Sequence, residues 1–256
     1  MRVLIIYFSG SGNTEYGCKL IREGLRLNGV ACDMVSVKEK PYAFIKEYDI
    51  IGFASPVYAF APASVMVEFI RGIEKQAQKP AFIFLTYAGF SGNAGFTLYK
   101  QLTARGFRIF SSFDMIAEDS WTLIRKKGKT KYSEGHPTAD EQQRVVEYGK
   151  TLLDDLNKIK EIRYRFTPFD IVAKLYNPNI LKHWFKINVD MNKCIKCGSC
   201  EKICPTGRMD ISKFPNPKGD CIGCYGCINV CPREAVDTWG TKGKDRYKGV
   251  RKQILE

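Results

Sequence analysis

Histidine is the scarcest chemistry-bearing residue in this chain: two occur in 256 residues, His136 and His183. Neither has a companion ligand or a nucleophile partner in its surroundings, which argues against a histidine-dependent triad or a histidine-rich metal centre. Cysteine is equally thin over the first 190 residues, where only Cys18 and Cys32 occur. That leaves no disulfide scaffold there, and both read as small buried hydrophobes. Long uninterrupted apolar runs are missing too. Ile50 to Val67 and Pro80 to Tyr99 carry no charge, but Pro56, Pro62, Gly89, Gly92 and Gly95 interrupt them with turn chemistry, so no transmembrane helix is expected. The opening run, Val3 to Phe8, is too short for an export signal and reads as a buried first strand. Acidic residues are in deficit, 27 against 40 Lys and Arg, for a formal charge of +13.

From Arg2 to about Lys158, apolar strand candidates alternate with helical segments, the pattern of a parallel sheet covered on both faces. Five strands are expected at Val3 to Phe8, Ala31 to Val37, Asp49 to Ala54, Ala81 to Thr86 and Phe107 to Ile116. Leu20, Ile21, Gly24 and Leu25 recur at helical spacing after Thr14, and further helices are expected over Ala63 to Lys75, Gly95 to Arg105 and Thr138 to Lys160. Ligands on such sheets bind beyond the carboxyl ends of the strands, so the loops after strands one, three and four matter most. The first, Ser9-Gly10-Ser11-Gly12-Asn13-Thr14, offers small residues, hydroxyls and helix N-terminal amides to an anion. It lacks the lysine of a triphosphate-binding loop and the glycine spacing of a dinucleotide fingerprint. The second, Ser55 to Pro62, sets Tyr58 and Phe60 between two prolines. The third, Thr86 to Asn93, combines Tyr87 and Phe90 with glycines. Rigid aromatic loops can sandwich a planar cofactor, although aromatics there could also simply cap the core.

The strand Val3 to Phe8 followed by Ser9-Gly10-Ser11-Gly12-Asn13-Thr14, with aromatic loops after strands three and four, resembles a flavodoxin over about residues 1–160. The resemblance implies an α/β, doubly wound, five-stranded parallel sheet that binds FMN. Its phosphate would be held by Ser9, Ser11, Asn13, Thr14 and the amides around Gly10 and Gly12. Its ring would lie between Pro56, Val57, Tyr58, Ala59 and Phe60 on one side and Thr86, Tyr87, Ala88, Gly89, Gly92 and Asn93 on the other. Tyr58 is the stacking candidate, with Tyr87 next. Trp121 could contribute but reads more readily as a core anchor.

Eight cysteines fall in two copies of one pattern, Cys194-x-x-Cys197-x-x-Cys200-x-x-x-Cys204-Pro205 and Cys221-x-x-Cys224-x-x-Cys227-x-x-x-Cys231-Pro232. Thiolates three residues apart on a tight loop can reach several irons of one cubane. Structural zinc also uses Cys-x-x-Cys pairs, but gives no reason for a third cysteine at the same interval or for Cys-Pro twice. The spacing resembles bacterial two-cluster ferredoxins over residues 188–238, a small α+β domain. That resemblance implies two [4Fe-4S] clusters, one on Cys194, Cys197, Cys200 and Cys231, the other on Cys221, Cys224, Cys227 and Cys204. The whole chain therefore resembles a flavodoxin/ferredoxin fusion.

Residues 161–187, with Phe166, Phe169, Tyr176, Leu181, Trp184 and Phe185 interspersed with Pro168 and Pro178, are too apolar for a free linker and are expected to pack. Residues 239–256 read as a basic tail, and a second basic run spans Arg125 to Lys131; solvated loops are the plainer reading of both, docking surfaces the other. With clusters and FMN loaded, roughly +7 of the charge would remain, enough to attract an acidic partner. The resemblance implies an electron-transfer protein passing electrons between two [4Fe-4S] clusters and FMN, and to or from an acidic redox partner such as a ferredoxin, a flavodoxin or an oxidoreductase. The alternative is an FMN-dependent reductase of a small substrate fed by its own ferredoxin domain. Nucleic-acid binding is not expected, a homodimer is possible, and a cytoplasmic, oxygen-poor setting suits oxygen-labile clusters.

Overall fold

The computed structural model describes residues 1–125, 132–175 and 185–250. The basic run from Lys126 to Lys131, the bridge residues Tyr176, Pro178, Leu181, His183 and Trp184, and Lys252 of the tail lie outside them.

The first strand, β1 (Arg2–Tyr7), is buried on both faces from Val3 to Ile6, as its unbroken apolar run demands. Next come α1 (Asn13–Leu27), β2 (Ala31–Ser36), β3 (Ile50–Tyr58), a two-residue β4 (Ala61–Pro62) and α2 (Ser64–Gly72). They are followed by β5 (Lys79–Tyr87), α3 (Ala94–Ala104), β6 (Phe107–Ile116) and α4 (Ala139–Thr151). The strand order is β2-β1-β3-β5-β6, all parallel. This is the flavodoxin-like order, whose ligand crevice lies between β1 and β3, where the winding reverses.

Alternation of side chains splits the core into two layers. Leu4, Ile6, Phe53, Ile83 and Leu85 pack under α2 and α3. Val3, Ile5, Ala54, Phe82 and Phe84 face α1 and α4. The helices α1 and α4 meet backbone to backbone, because a Cβ at Gly24 would stand 2.1 Å from the Val146 carbonyl oxygen and one at Gly149 2.4 Å from that of Ile21. Both interior glycines thus trade helix propensity for close approach. Helix α4 starts from a capping box in which the Thr138 hydroxyl accepts from the Glu141 amide and the Glu141 carboxylate accepts from Thr138.

Three boundaries differ from expectation. Strand β3 continues to Tyr58 because Ser55 and Pro56 stay in register with Leu85 and Thr86 of β5. The second loop is therefore only a turn at Ala59 and Phe60, both at positive φ (44° and 69°), after which β4 pairs back antiparallel to β3. The last helix ends at Thr151, and after a 3-10 turn over Leu152–Asp155 the Lys160 amide donates to Ile109 on the sheet.

The C-terminal part comprises α5 (Phe169–Leu175), β7 (Asn188–Val189), α6 (Ser199–Ile203), α7 (Gly226–Val230) and β8 (Val236–Asp237). The two short strands pair antiparallel. Helices α6 and α7 follow left-handed residues, Gly198 and Tyr225, and a small core gathers Ile187, Val189, Met209, Tyr225, Ile228 and Val236. A solvated tail is not what residues 239–250 form. Thr241, Arg246, Tyr247 and Val250 are buried, and the Arg246 guanidinium donates to the carbonyls of Ile228 (2.6 Å) and Val236 (2.7 Å). The segment closes over both domains because those buried carbonyls need donors. No helix among the described residues is long and apolar enough to cross a membrane.

Candidate functional site

The carboxyl ends of β1, β3 and β5, with the segment following β6, enclose a cleft of about 630 Å³, ample for a mononucleotide-sized ligand. At its foot, Gly12 takes φ 98° as the N-cap of α1, and no side chain caps the helix there. The first-turn amides are therefore left to point at an incoming anion. The Ser9 hydroxyl accepts from the Gly12 amide at 3.1 Å. Ser11 and Asn13 line the cleft. Asn13 is held from two sides: its amide nitrogen donates to the Glu118 carbonyl (3.0 Å) and its oxygen accepts from the Tyr247 hydroxyl (2.5 Å). Thr14 is buried, its hydroxyl 2.7 Å from that of Thr86, a bond that ties the first loop to the third.

All five residues from Pro56 to Phe60 line the cleft, as do Thr86, Tyr87, Ala88, Gly89 and Phe90. Gly92 and Asn93 play another part. A Cβ at Gly92 would meet that of Phe60 at 2.7 Å, and Asn93 donates to the Asp170 carboxylate (2.7 Å) and the Arg165 carbonyl (2.8 Å). Asn93 thus anchors the bridge segment, and Phe169 of that segment stacks on Phe60 with centroids 4.5 Å apart and lines the cleft. Elsewhere among the described bridge residues, Ile162, Tyr164 and Phe185 pack against the two cores and neighbouring rings, whereas Phe166 is 73% exposed.

The sequence reading missed Phe169 and also Ala117, Glu118, Asp119, Ser120, Ile124 and Tyr132, which complete the lining. Their signal was topological: they follow β6 at the ligand-bearing edge. Burial raises the Asp119 carboxyl above its usual range, opposed by the Trp121 amide and the Arg125 guanidinium. Arg125 itself donates to the Glu118 carboxylate (2.6 Å) and the Asp119 carbonyl (3.0 Å) and lies over the Tyr247 ring.

The eight clustered cysteines surround two cavities. One is lined by Cys204, Cys221, Cys224 and Cys227, the other by Cys194, Cys197, Cys200 and Cys231. Each run thus contributes its first three cysteines to one cavity and its fourth to the other. Backbone amides reach the sulfurs, Gly223 to Cys221 (3.4 Å) and Ala235 to Cys231 (3.2 Å). Burial pushes the Cys200 thiol up to about 11 and Cys224 up to about 12, whereas hydrogen bonds from Ser199 lower that of exposed Cys197. Among the described residues no three Cys, His, Asp or Glu side chains converge to hold a single ion. Four sulfurs around a cavity fit a polynuclear group better than a lone zinc.

The cleft and the first cavity share a wall. A Cβ at Gly10 would lie 2.7 Å from the Tyr58 hydroxyl and 3.0 Å from the Cys224 Cβ, and one at Gly226 would lie 2.6 Å from the Gly10 carbonyl oxygen. Only glycine fits at this seam. Tyr58, 7% exposed, sets its hydroxyl against Gly10 at this seam and also lines the cleft. Trp121 of the cleft lies 5.8 Å from Tyr225, whose ring lines the first cavity.

Residues 4–94 match a family model described as a flavodoxin domain, and residues 186–233 match one described as a 4Fe-4S dicluster domain. The chain is a flavodoxin/ferredoxin fusion. An uncharacterized protein of Methanocaldococcus jannaschii is 30% identical over 163 residues, 60% of this chain and 99% of its own length. Among solved structures, a flavodoxin from the domain Archaea covers 61% of this chain and 99% of its own at 17% identity and a TM-score of 0.43. A Streptococcus pneumoniae TIGR4 flavodoxin covers 60% and 99% at 15% identity and a TM-score of 0.45. Flavodoxin and 4Fe-4S domains are electron-transfer modules, the first implying FMN and the second iron–sulfur clusters. In this fusion the loop Ser9 to Thr14 and a cysteine-lined cavity meet at Gly10.

Proposed function

We propose that the fusion passes electrons between two [4Fe-4S] clusters and FMN within one chain, and exchanges them with a separate redox protein. The observation that carries this reading is the seam at Gly10, Tyr58 and Cys224, where the flavin cleft and a cluster cavity stand wall to wall. Clusters move electrons singly and flavin singly or in pairs, so their pairing connects one-electron to two-electron chemistry. The protein supplies position and electrostatics. Cys204, Cys221, Cys224 and Cys227 hold the inner cluster, and Cys194, Cys197, Cys200 and Cys231 the outer one. Ser9, Ser11 and the amides at the start of α1 bind the phosphate, with Asn13 and Thr14 setting the loop. Phe60, Tyr87 and Trp121 form the aromatic walls, and the Gly10 seam excludes water between the two sites.

The outer cavity faces solvent at Cys197, beside exposed Lys193, Lys196 and Lys202, so an acidic redox protein docks there. A second reading has one supporting observation. The rim residues Phe90 and Phe169, 47% and 44% exposed, would suit a flat apolar substrate reduced over the flavin.

Anaerobic purification with iron, sulfide and flavin quantification, followed by a reductive titration, tests the proposal. About eight irons, eight sulfides and one FMN per chain are expected, with clusters and flavin drawing on one shared pool of electrons. Absence of bound flavin at saturating FMN would remove the cleft assignment, and about two irons or zinc in their place would remove the cluster assignment.

A further inference from the structure

The two cysteine cavities are related by sequence but not by charge. Four residues after Cys204 stands Arg208, and at the same place after Cys231 stands Ala235. Arg208 is 8% exposed and lines the inner cavity. It shares that cavity wall with Cys221, and its Nε and Nη1 are buried with no hydrogen-bond partner among the described residues. An unsatisfied buried guanidinium is strongly unfavourable unless a negative group sits beside it. Ala235 is 1% exposed and offers the outer cavity only its backbone amide. Arg233 and Lys196 also line the outer cavity, but both are exposed, so water screens their charge.

Burial alone would rank the cavities the wrong way for an inward wire. Adding an electron adds negative charge, which a low-dielectric site resists. Cys224 and Cys227 lie deeper than Cys197, which is exposed. Without compensation the inner cluster would be the harder to reduce, and electrons arriving at the outer cluster would stop there.

We propose that Arg208 is the residue that sets the reduction potential of the inner cluster, raising it above that of the outer cluster so that electrons entering from a one-electron donor run inward to the flavin cleft. With both clusters bound, each transfer would take one electron from the reduced donor into the outer site and on to the inner one, with no bond made or broken. Arg208 acts through the cluster as a positioning charge and touches no substrate.

This inference rests on the cluster reading above, and the two fail separately. Iron and sulfide are counted on every sample first; fewer than eight irons in the wild-type chain would overturn the cluster reading. Potentiometric titration followed by electron paramagnetic resonance then reads the potentials. Cys197→Ser displaces the outer cluster's wave and so marks it, and the wave it leaves in place is expected to be the higher of the two. Arg208→Gln is expected to shift that higher wave to lower potential while the other stays, and Arg208→Lys to keep most of the wild-type separation. The proposal is overturned if the unmarked wave is the lower one in the wild type. It is equally overturned if Arg208→Gln, loaded with eight irons, leaves that wave in place or moves both alike. Where Arg208→Gln cannot be loaded, Arg208→Ala carries the same test of the residue, and the marking experiment still overturns the proposal if the unmarked wave is the lower one.

Discussion

The two halves of this molecule are held together by different means. The sheet domain buries two apolar layers, with Phe53, Phe82 and Phe84 fully enclosed between strands and helices. Its fold follows from hydrophobic burial alone. The C-terminal domain has helices of five residues and strands of two, and its core includes several of the cysteines themselves. Such a domain lacks the apolar area to offset its chain entropy, and metal–thiolate bonds must supply the difference. The comparison teaches that one chain can place a self-sufficient scaffold directly against a metal-dependent one.

The comparison breaks first at the metal. Removing iron with a chelator under anaerobic conditions is expected to abolish protection of amides across residues 188–238 while leaving those of β1, β3 and β5 protected, as hydrogen exchange would read. Equal loss in both domains would contradict the separation. Next in size, Phe84→Ala in the sheet should cost about 3–5 kcal/mol of flavodoxin-domain stability by urea unfolding, with the iron content unchanged. Gly10→Val pushes a branched side chain into the seam at Tyr58 and Cys224. It should cost about 1–3 kcal/mol, weaken FMN binding, and slow cluster-to-flavin transfer while both domains remain folded. The smallest effect is expected from Tyr247→Phe. Losing its bond to Asn13 should weaken FMN binding by about 1 kcal/mol, roughly fivefold, measured by flavin fluorescence.

Much of this was legible in the sequence because its signals were local. The apolar run Val3 to Phe8, the loop Ser9 to Thr14 and the two cysteine runs each specify their own conformation or chemistry within a few residues. The two cavities group Cys204 with Cys221, Cys224 and Cys227, and Cys231 with Cys194, Cys197 and Cys200. What stayed hidden depends on distant parts of the chain. The Tyr58 hydroxyl meets Gly10 across the fold, and Asn93 holds Asp170 and Arg165 more than seventy residues away. The closing segment was the largest misreading. Lysines at 242, 244 and 248 dominate its composition, yet Arg246 and Tyr247 are buried, because a guanidinium can satisfy two carbonyls that the short helix and strand leave open. Arg208 was equally invisible, since only the cavity beside it gives that charge a purpose.

The most direct test is rapid mixing of the loaded, oxidised protein with a one-electron donor, following cluster bleaching and flavin reduction over a range of protein concentrations. Cluster bleaching should come first, and flavin reduction should follow at a rate independent of protein concentration, because both sites lie within one chain. A flavin rate that rises in proportion to concentration, or a flavin that stays oxidised beside reduced clusters, would contradict the account.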